Sequence, residues 1–173
     1  MQGGRRTFLL DTARLAALAS ASSACAAAPE AYPFSLGVAS GSPLPDSVIL
    51  WTRILADPLD ASSVKPVALP VRWELAADEA FRQVVARGSA VAAPELAHSV
   101  HVDVRGLAPA RWYWYRFMLG SAISPVGRTR TAPAPGSMPG ALRLAVASCQ
   151  HWQFGSYAAH RHIAASKIGR AHV

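Results

Sequence analysis

From Phe34 to Thr131 the chain runs as short apolar stretches interrupted by Pro, Gly, Asp and Ser, a rhythm that belongs to strands and turns rather than to helices. The clearest alternation is Ser99 to Arg105. Val100, Val102 and Val104 share one face there, and Ser99, His101, Asp103 and Arg105 share the other, so one face meets a core and the other meets water. Val71, Trp73 and Leu75 alternate with Arg72 and Glu74 in the same way, and Trp112 to Phe117 carries aromatics on both faces. Val48 to Trp51 is apolar throughout, which predicts a strand covered on both sides. Asp78 to Val85 fits one helical turn or more, and the following VVARGSAVA reads as strand, turn and strand. The fold class expected for residues 29–131 is an all-β sandwich with Greek-key connections.

A more specific pattern is Leu107-x-Pro109-x-x-x-Tyr113-x-Tyr115. It resembles the tyrosine corner of fibronectin type III domains, in which a tyrosine hydroxyl bonds to backbone a few residues upstream and fixes the crossing between the two sheets. Tyr113 has the matching position. His98 and His101 are candidate ligands by residue type alone, but His101 stands on the polar face of its strand, where a solvated imidazole is the ordinary outcome. Trp51, Trp73, Trp112 and Trp114 read as packing rather than as a stacking platform.

Residues 132–140 form the next unit. The stretch TAPAPGSMPG from Thr131 holds three prolines and two glycines, which excludes regular structure and predicts a linker. Residues 141–166 then open differently. ALRLAVASC ends at Cys149 as a buried-strand pattern, followed by Gln150, His151 and a weakly helical stretch from Gly155 to Ser166. In α/β domains functional groups collect where the carboxyl end of a strand meets the next loop. Cys149 sits there, which makes it a nucleophile or metal ligand, with a buried structural cysteine as the competing reading.

The chain has 173 residues, 51% hydrophobic and 16% charged, enough for one cored domain plus appendages and too little for two catalytic domains. Residues 3–28 read GGRRTFLLDTARLAALASASSACAAA. An arginine pair, Arg5 and Arg6, followed by an apolar segment and small residues resembles a twin-arginine export signal over residues 1–28, cleaved between Ala26 and Glu30. Asp11 and Arg14 interrupt the apolar run and leave it too short to span a membrane. The expected partner is the twin-arginine export machinery and the expected location periplasmic or extracellular; the alternative is a short amphipathic helix on a cytosolic protein. Cys25 admits a lipoprotein reading but lacks the large aliphatic residue before it. Removal of this segment leaves Cys149 as a lone thiol, with no internal disulfide.

The net charge of +7 does not make this a nucleic-acid binder. The two ends contribute +2 each, and the body has its bases scattered among acids with no run of Lys or Arg, so no nucleic acid is expected as a stable partner.

Four stretches together resemble the PhoD family of alkaline phosphatases: FSLGVASGSPLPDSVILWTR at 34–53, PVRWELAADEAFRQVV at 70–85, HSVHVDVRGLAPARWYWYRF at 98–117 and RLAVASCQ at 143–150. The resemblance implies a fibronectin-like sandwich followed by the truncated start of an α/β metallophosphoesterase domain, twin-arginine export, and hydrolysis of phosphate monoesters and diesters. It also implies that Cys149 ligates iron, with calcium completing the centre; a thiolate suits iron, and the metal keeps the sulfur deprotonated. The family's further ligands come from a Gly-Asp-Tyr-type motif and from later Asn, Asp and His residues. None of those is found here, and no acidic residue follows Asp103, whereas calcium takes roughly 6–8 oxygen ligands. His151, His160 and His162 have no standard zinc spacing. An inactive N-terminal fragment of a phosphate-ester hydrolase is therefore expected; the alternative is a secreted β-sandwich serving as a binding or scaffold module. KIGRAHV at 167–173 breaks with the family pattern and equals a translation of common sequencing-adaptor DNA, so this tail is expected to be artefactual.

Overall fold

A computed structural model describes residues 31–141, 143, 145–147, 155–166 and 171–172. Two antiparallel sheets face each other across one core. The first is ordered β1-β2-β5, with β1 at Val38–Gly41, β2 at Ser47–Arg53 and β5 at Ser99–Arg105. The second contains β3 (Leu69–Ala76), β4 (Val84–Ala92), β6 (Trp112–Leu119), β7 (Ala122–Ile123) and β8 (Gly127–Arg130), ordered β4-β3-β6-β7 with β8 also paired to β6. The chain crosses between sheets after β2, β4 and β5, so β5 returns beside β2 and β6 beside β3. This is the Greek-key sandwich that the alternating pattern predicts.

The period-two alternation does the sorting. Val100, Val102 and Val104 point inward, as do Val48, Leu50 and Thr52 from β2, and Val71 and Leu75 from β3. Phe34, Phe117, Tyr113 and Tyr115 fill the space between them. Thr52 is admitted to the core because its hydroxyl donates to the Gly37 carbonyl at 2.9 Å, which removes the cost of burying it unpaired.

Three sequence expectations change. Val48 to Trp51 is not fully covered on both sides: Val48 and Leu50 are buried, while Ile49 and Trp51, on the outer face, are only half-buried. Asp78 to Val85 holds no helix. The Asp78 carboxylate accepts from the backbone N–H of Arg82 and Gln83, and Phe81 takes a left-handed conformation at φ 54°, a combination that closes a hairpin and stops a helix. VVARGSAVA is a single strand, β4, with an irregularity in its pairing at Val85, because Gly88 is not a turn residue. It lies opposite Trp73, whose ring would stand 2.8 Å from a Cβ built there; close approach, not bending, is what requires glycine.

Beyond the sandwich, residues 133–140 are exposed and form neither strand nor helix. β9 (Ala145–Val146) pairs in parallel with β10 (Ala171–His172), and α1 spans Ala158–Ala165. The buried strand expected over Ala141 to Cys149 is not seen at the described positions. None of them is buried, and Val146 is 81% exposed; a pairing two residues long presents no sheet face to cover it.

Candidate functional site

Cys149, the residue on which the expected metal chemistry rests, lies outside the described residues, as do His151 and the arginine pair Arg5 and Arg6. The histidines that are described have other occupations. His98 is buried, follows Ala97 in the left-handed region, and places Nε2 3.1 Å from the Val67 carbonyl oxygen, pinning the loop before β5. His101 is exposed on the outer face of β5. On α1, His160 stacks on Tyr157 with ring centroids 6.3 Å apart, and His162 is exposed. Among the described residues no group of three or more His, Cys, Asp or Glu is arranged to hold a metal ion. These residues do not by themselves supply an iron and calcium centre.

What the sandwich does fix is the point from which the chain departs toward Cys149. The Tyr113 hydroxyl accepts from the backbone N–H of Ala108 at 2.9 Å, which is the tyrosine corner predicted from Leu107-x-Pro109-x-x-x-Tyr113. The carbonyl of the same Ala108 accepts from the Thr131 hydroxyl at 2.7 Å, and the N–H of Arg111 donates back to that hydroxyl oxygen at 3.1 Å. The neighbouring backbone completes the tie: Ala110 N–H donates to the Ala132 carbonyl at 2.9 Å and Ala132 N–H to the Leu44 carbonyl at 3.1 Å. Thr131 is 2% exposed. The corner between β5 and β6 and the exit of the chain are thus one hydrogen-bonded unit, rigid up to Ala132, after which the Pro-rich segment is exposed.

A second feature was hidden in the sequence. Cross-strand register carries Arg72 of β3, Arg87 of β4, Arg116 of β6 and Arg128 and Arg130 of β8 to the outer face of the second sheet, with Trp112 and Trp114 among them. The statement that the body has no basic cluster holds along the chain and fails in space. Glu74, on the same face, is taken by Arg116 at 2.7 Å, while the Arg116 guanidinium also lies 4.2 Å from the centroid of Phe81. The Arg128 and Arg130 guanidinium carbons lie over the Trp112 ring, 4.4 and 5.5 Å from its centroid. Arg72, Arg87, Arg128 and Arg130 are exposed, and none has a carboxylate partner among the described residues. Alternation along each strand was legible; which strands lie side by side, and hence which arginines meet, was not.

With these features in place, the comparisons with known proteins are specific. The model for the N-terminal domain of PhoD-like phosphatases matches residues 18–133. Alkaline phosphatase D of Bacillus subtilis is 52% identical over 137 residues, which is 79% of this chain and 24% of that protein. A solved structure of PhoD superposes with a TM-score of 0.80 at 50% identity, over 82% of this chain and 27% of that one. This chain therefore spans about a quarter of the length of the relatives it matches. Three of the four stretches that resembled the family in sequence, 34–53, 70–85 and 98–117, lie in the sandwich described above, and the chain belongs to the PhoD-like phosphatase family, of which it contains the N-terminal domain.

Proposed function

We propose that this chain is the N-terminal part of an exported phosphate-ester hydrolase, acting on phosphomonoesters or phosphodiesters, and that as it stands it does not turn over substrate. The observation that carries the reading is the 52% identity to alkaline phosphatase D over 79% of the chain, too extensive to reflect a shared sandwich fold alone. Arg5 and Arg6 support export by the twin-arginine route to a periplasmic or extracellular location.

Cys149 is the residue assigned to the metal in this reading. An iron ion there, with calcium beside it, would clamp phosphate oxygens and activate the attacking oxygen. The chain's own contribution is to deliver that cysteine. The Ala108, Thr131 and Tyr113 unit ends the rigid sandwich, and the exposed segment 133–140 carries the chain from it to the stretch bearing the thiol. A thiolate by itself neither balances the charge on a phosphoryl group nor positions a nucleophile, and no carboxylate follows Asp103. The remaining ligands belong, in this reading, to the part of the relatives that the chain does not span.

The test is hydrolysis of a phosphomonoester and of a phosphodiester by the purified chain, supplied with iron and calcium. No turnover above that of the metals alone is expected. A metal-dependent rate abolished by Cys149→Ala would overturn the reading of an incomplete site. In a longer form that is active, Cys149→Ala should lower bound iron along with the rate.

A further inference from the structure

The outer face of the second sheet takes no part in delivering Cys149. Among the described residues it gathers Arg72, Arg87, Arg116, Arg128 and Arg130 around the one carboxylate of Glu74; Asp78 and Glu79 stand in the β3–β4 hairpin, where Asp78 is occupied with backbone N–H groups. We propose that this face binds a linear polymer of phosphate groups and holds it against the sandwich.

Three observations fit that partner. Strands lie about 4.8 Å apart, so the row from β4 through β3 and β6 to β8 spreads its guanidiniums over roughly 14 Å, a track rather than a single pocket. The Arg128 and Arg130 guanidiniums lie over the Trp112 ring, and the Arg130 Nε–H donates to the Ala110 carbonyl at 3.3 Å, which restrains both side chains. A guanidinium so restrained meets phosphate oxygens with little further ordering. The same stacking occupies Trp112, so the indole most involved with this face is taken up by cations and is not open to a base, whereas proteins that grip single-stranded nucleic acid rely on open aromatic faces. Trp114, on the same face, is half-buried, so charge rather than an open row of aromatic rings dominates what the face offers. A phosphate polymer without bases is the partner this favours, and its class rests on the phosphate-ester reading of the family.

The experiment uses the 173-residue chain and inorganic polyphosphate, with binding read by calorimetry rather than by turnover, so that an absent active site and an absent docking face are separable outcomes. If Arg72, Arg87, Arg128 and Arg130 each release one counterion, affinity should fall about 50-fold between about 50 and about 200 mM salt. In the Arg128→Gln/Arg130→Gln variant the fall should shrink to about 7-fold. Arg53→Gln/Arg105→Gln, on the first sheet, should leave both affinity and salt response unchanged. Arg105, Arg128 and Arg130 are exposed and Arg53 is half-buried, donating to the Ala97 carbonyl, so thermal melting of each variant verifies that folding is intact. Absence of binding, a response to Arg53 and Arg105 equal to that of Arg128 and Arg130, or equal affinity for polyglutamate would overturn the proposal. Tighter binding of single-stranded DNA than of polyphosphate would also overturn it and assign the face to nucleic acid.

Discussion

Tyr115 shows how a single side chain ties stability to pH. It is 2% exposed between the sheets, and burial pushes its phenol from an ordinary 10.0 to about 12. Burial disfavours the phenolate, so the folded state keeps this proton more firmly than the unfolded chain does. The contribution is fully present below pH 10 and is lost as pH rises toward 12. Between those values the unfolding constant should rise by up to about tenfold per pH unit. Urea unfolding measured across that range should show the loss in the native protein and a shallower one in Tyr115→Phe; identical slopes would mean that Tyr115 titrates normally. Its neighbour across the sheet, Gly127, has a matching constraint. A Cβ there would lie 2.2 Å from the Tyr115 ring, so Gly127→Ala should cost about 1–3 kcal/mol through overpacking, read by the same unfolding measurement. The sequence showed Tyr115 as one of the aromatics alternating from Trp112 to Phe117, without fixing which face turns inward. It did not announce why glycine stands at 127, because the ring that forbids a side chain comes from a strand twelve residues earlier.

Among elements, the loop between β5 and β6 holds the most consequence for function. Ala108 donates its N–H to Tyr113 and accepts with its carbonyl from Thr131, so the crossing between sheets and the departure of the chain share one residue. Tyr113→Phe removes the first bond and should destabilise the sandwich by about 0.5–1.5 kcal/mol, with the denaturant midpoint shifted and its slope retained. Unchanged stability would mean that the corner is incidental. This corner was readable because its signature is local, with spacing Leu107, Pro109, Tyr113 inside a single loop and strand. Thr131 was not, since its partners at Ala108 and Arg111 come from a loop some twenty residues away. The helix expected over Asp78 to Val85 failed for a related reason: the residues suit a helix, but Asp78 spends its carboxylate on two backbone N–H groups and β4 must return antiparallel to β3.

At the scale of the molecule, the sequence revealed the class of fold through period-two alternation and the family through four stretches in order, and both agree with the sandwich and with its match to PhoD at a TM-score of 0.80. It concealed the arginine face. Arg72, Arg87, Arg116, Arg128 and Arg130 are spread over fifty-nine positions and become neighbours only through sheet register, a long-range pairing that no local pattern encodes. Residues 34–132 form a sandwich with a fixed exit, and the chain matches about a quarter of alkaline phosphatase D. The proposed function requires the metal-dependent hydrolase to be completed by the part of the relatives that this chain does not span. The most direct measurement is the sequence of the source DNA downstream of the codon for Ser166. An open frame leading into a Gly-Asp-Tyr motif and later Asn, Asp and His ligands is the expected result, with Cys149 the first ligand of the set. Genomic DNA encoding KIGRAHV followed by a stop codon would contradict it and leave a sandwich whose function lies in binding alone.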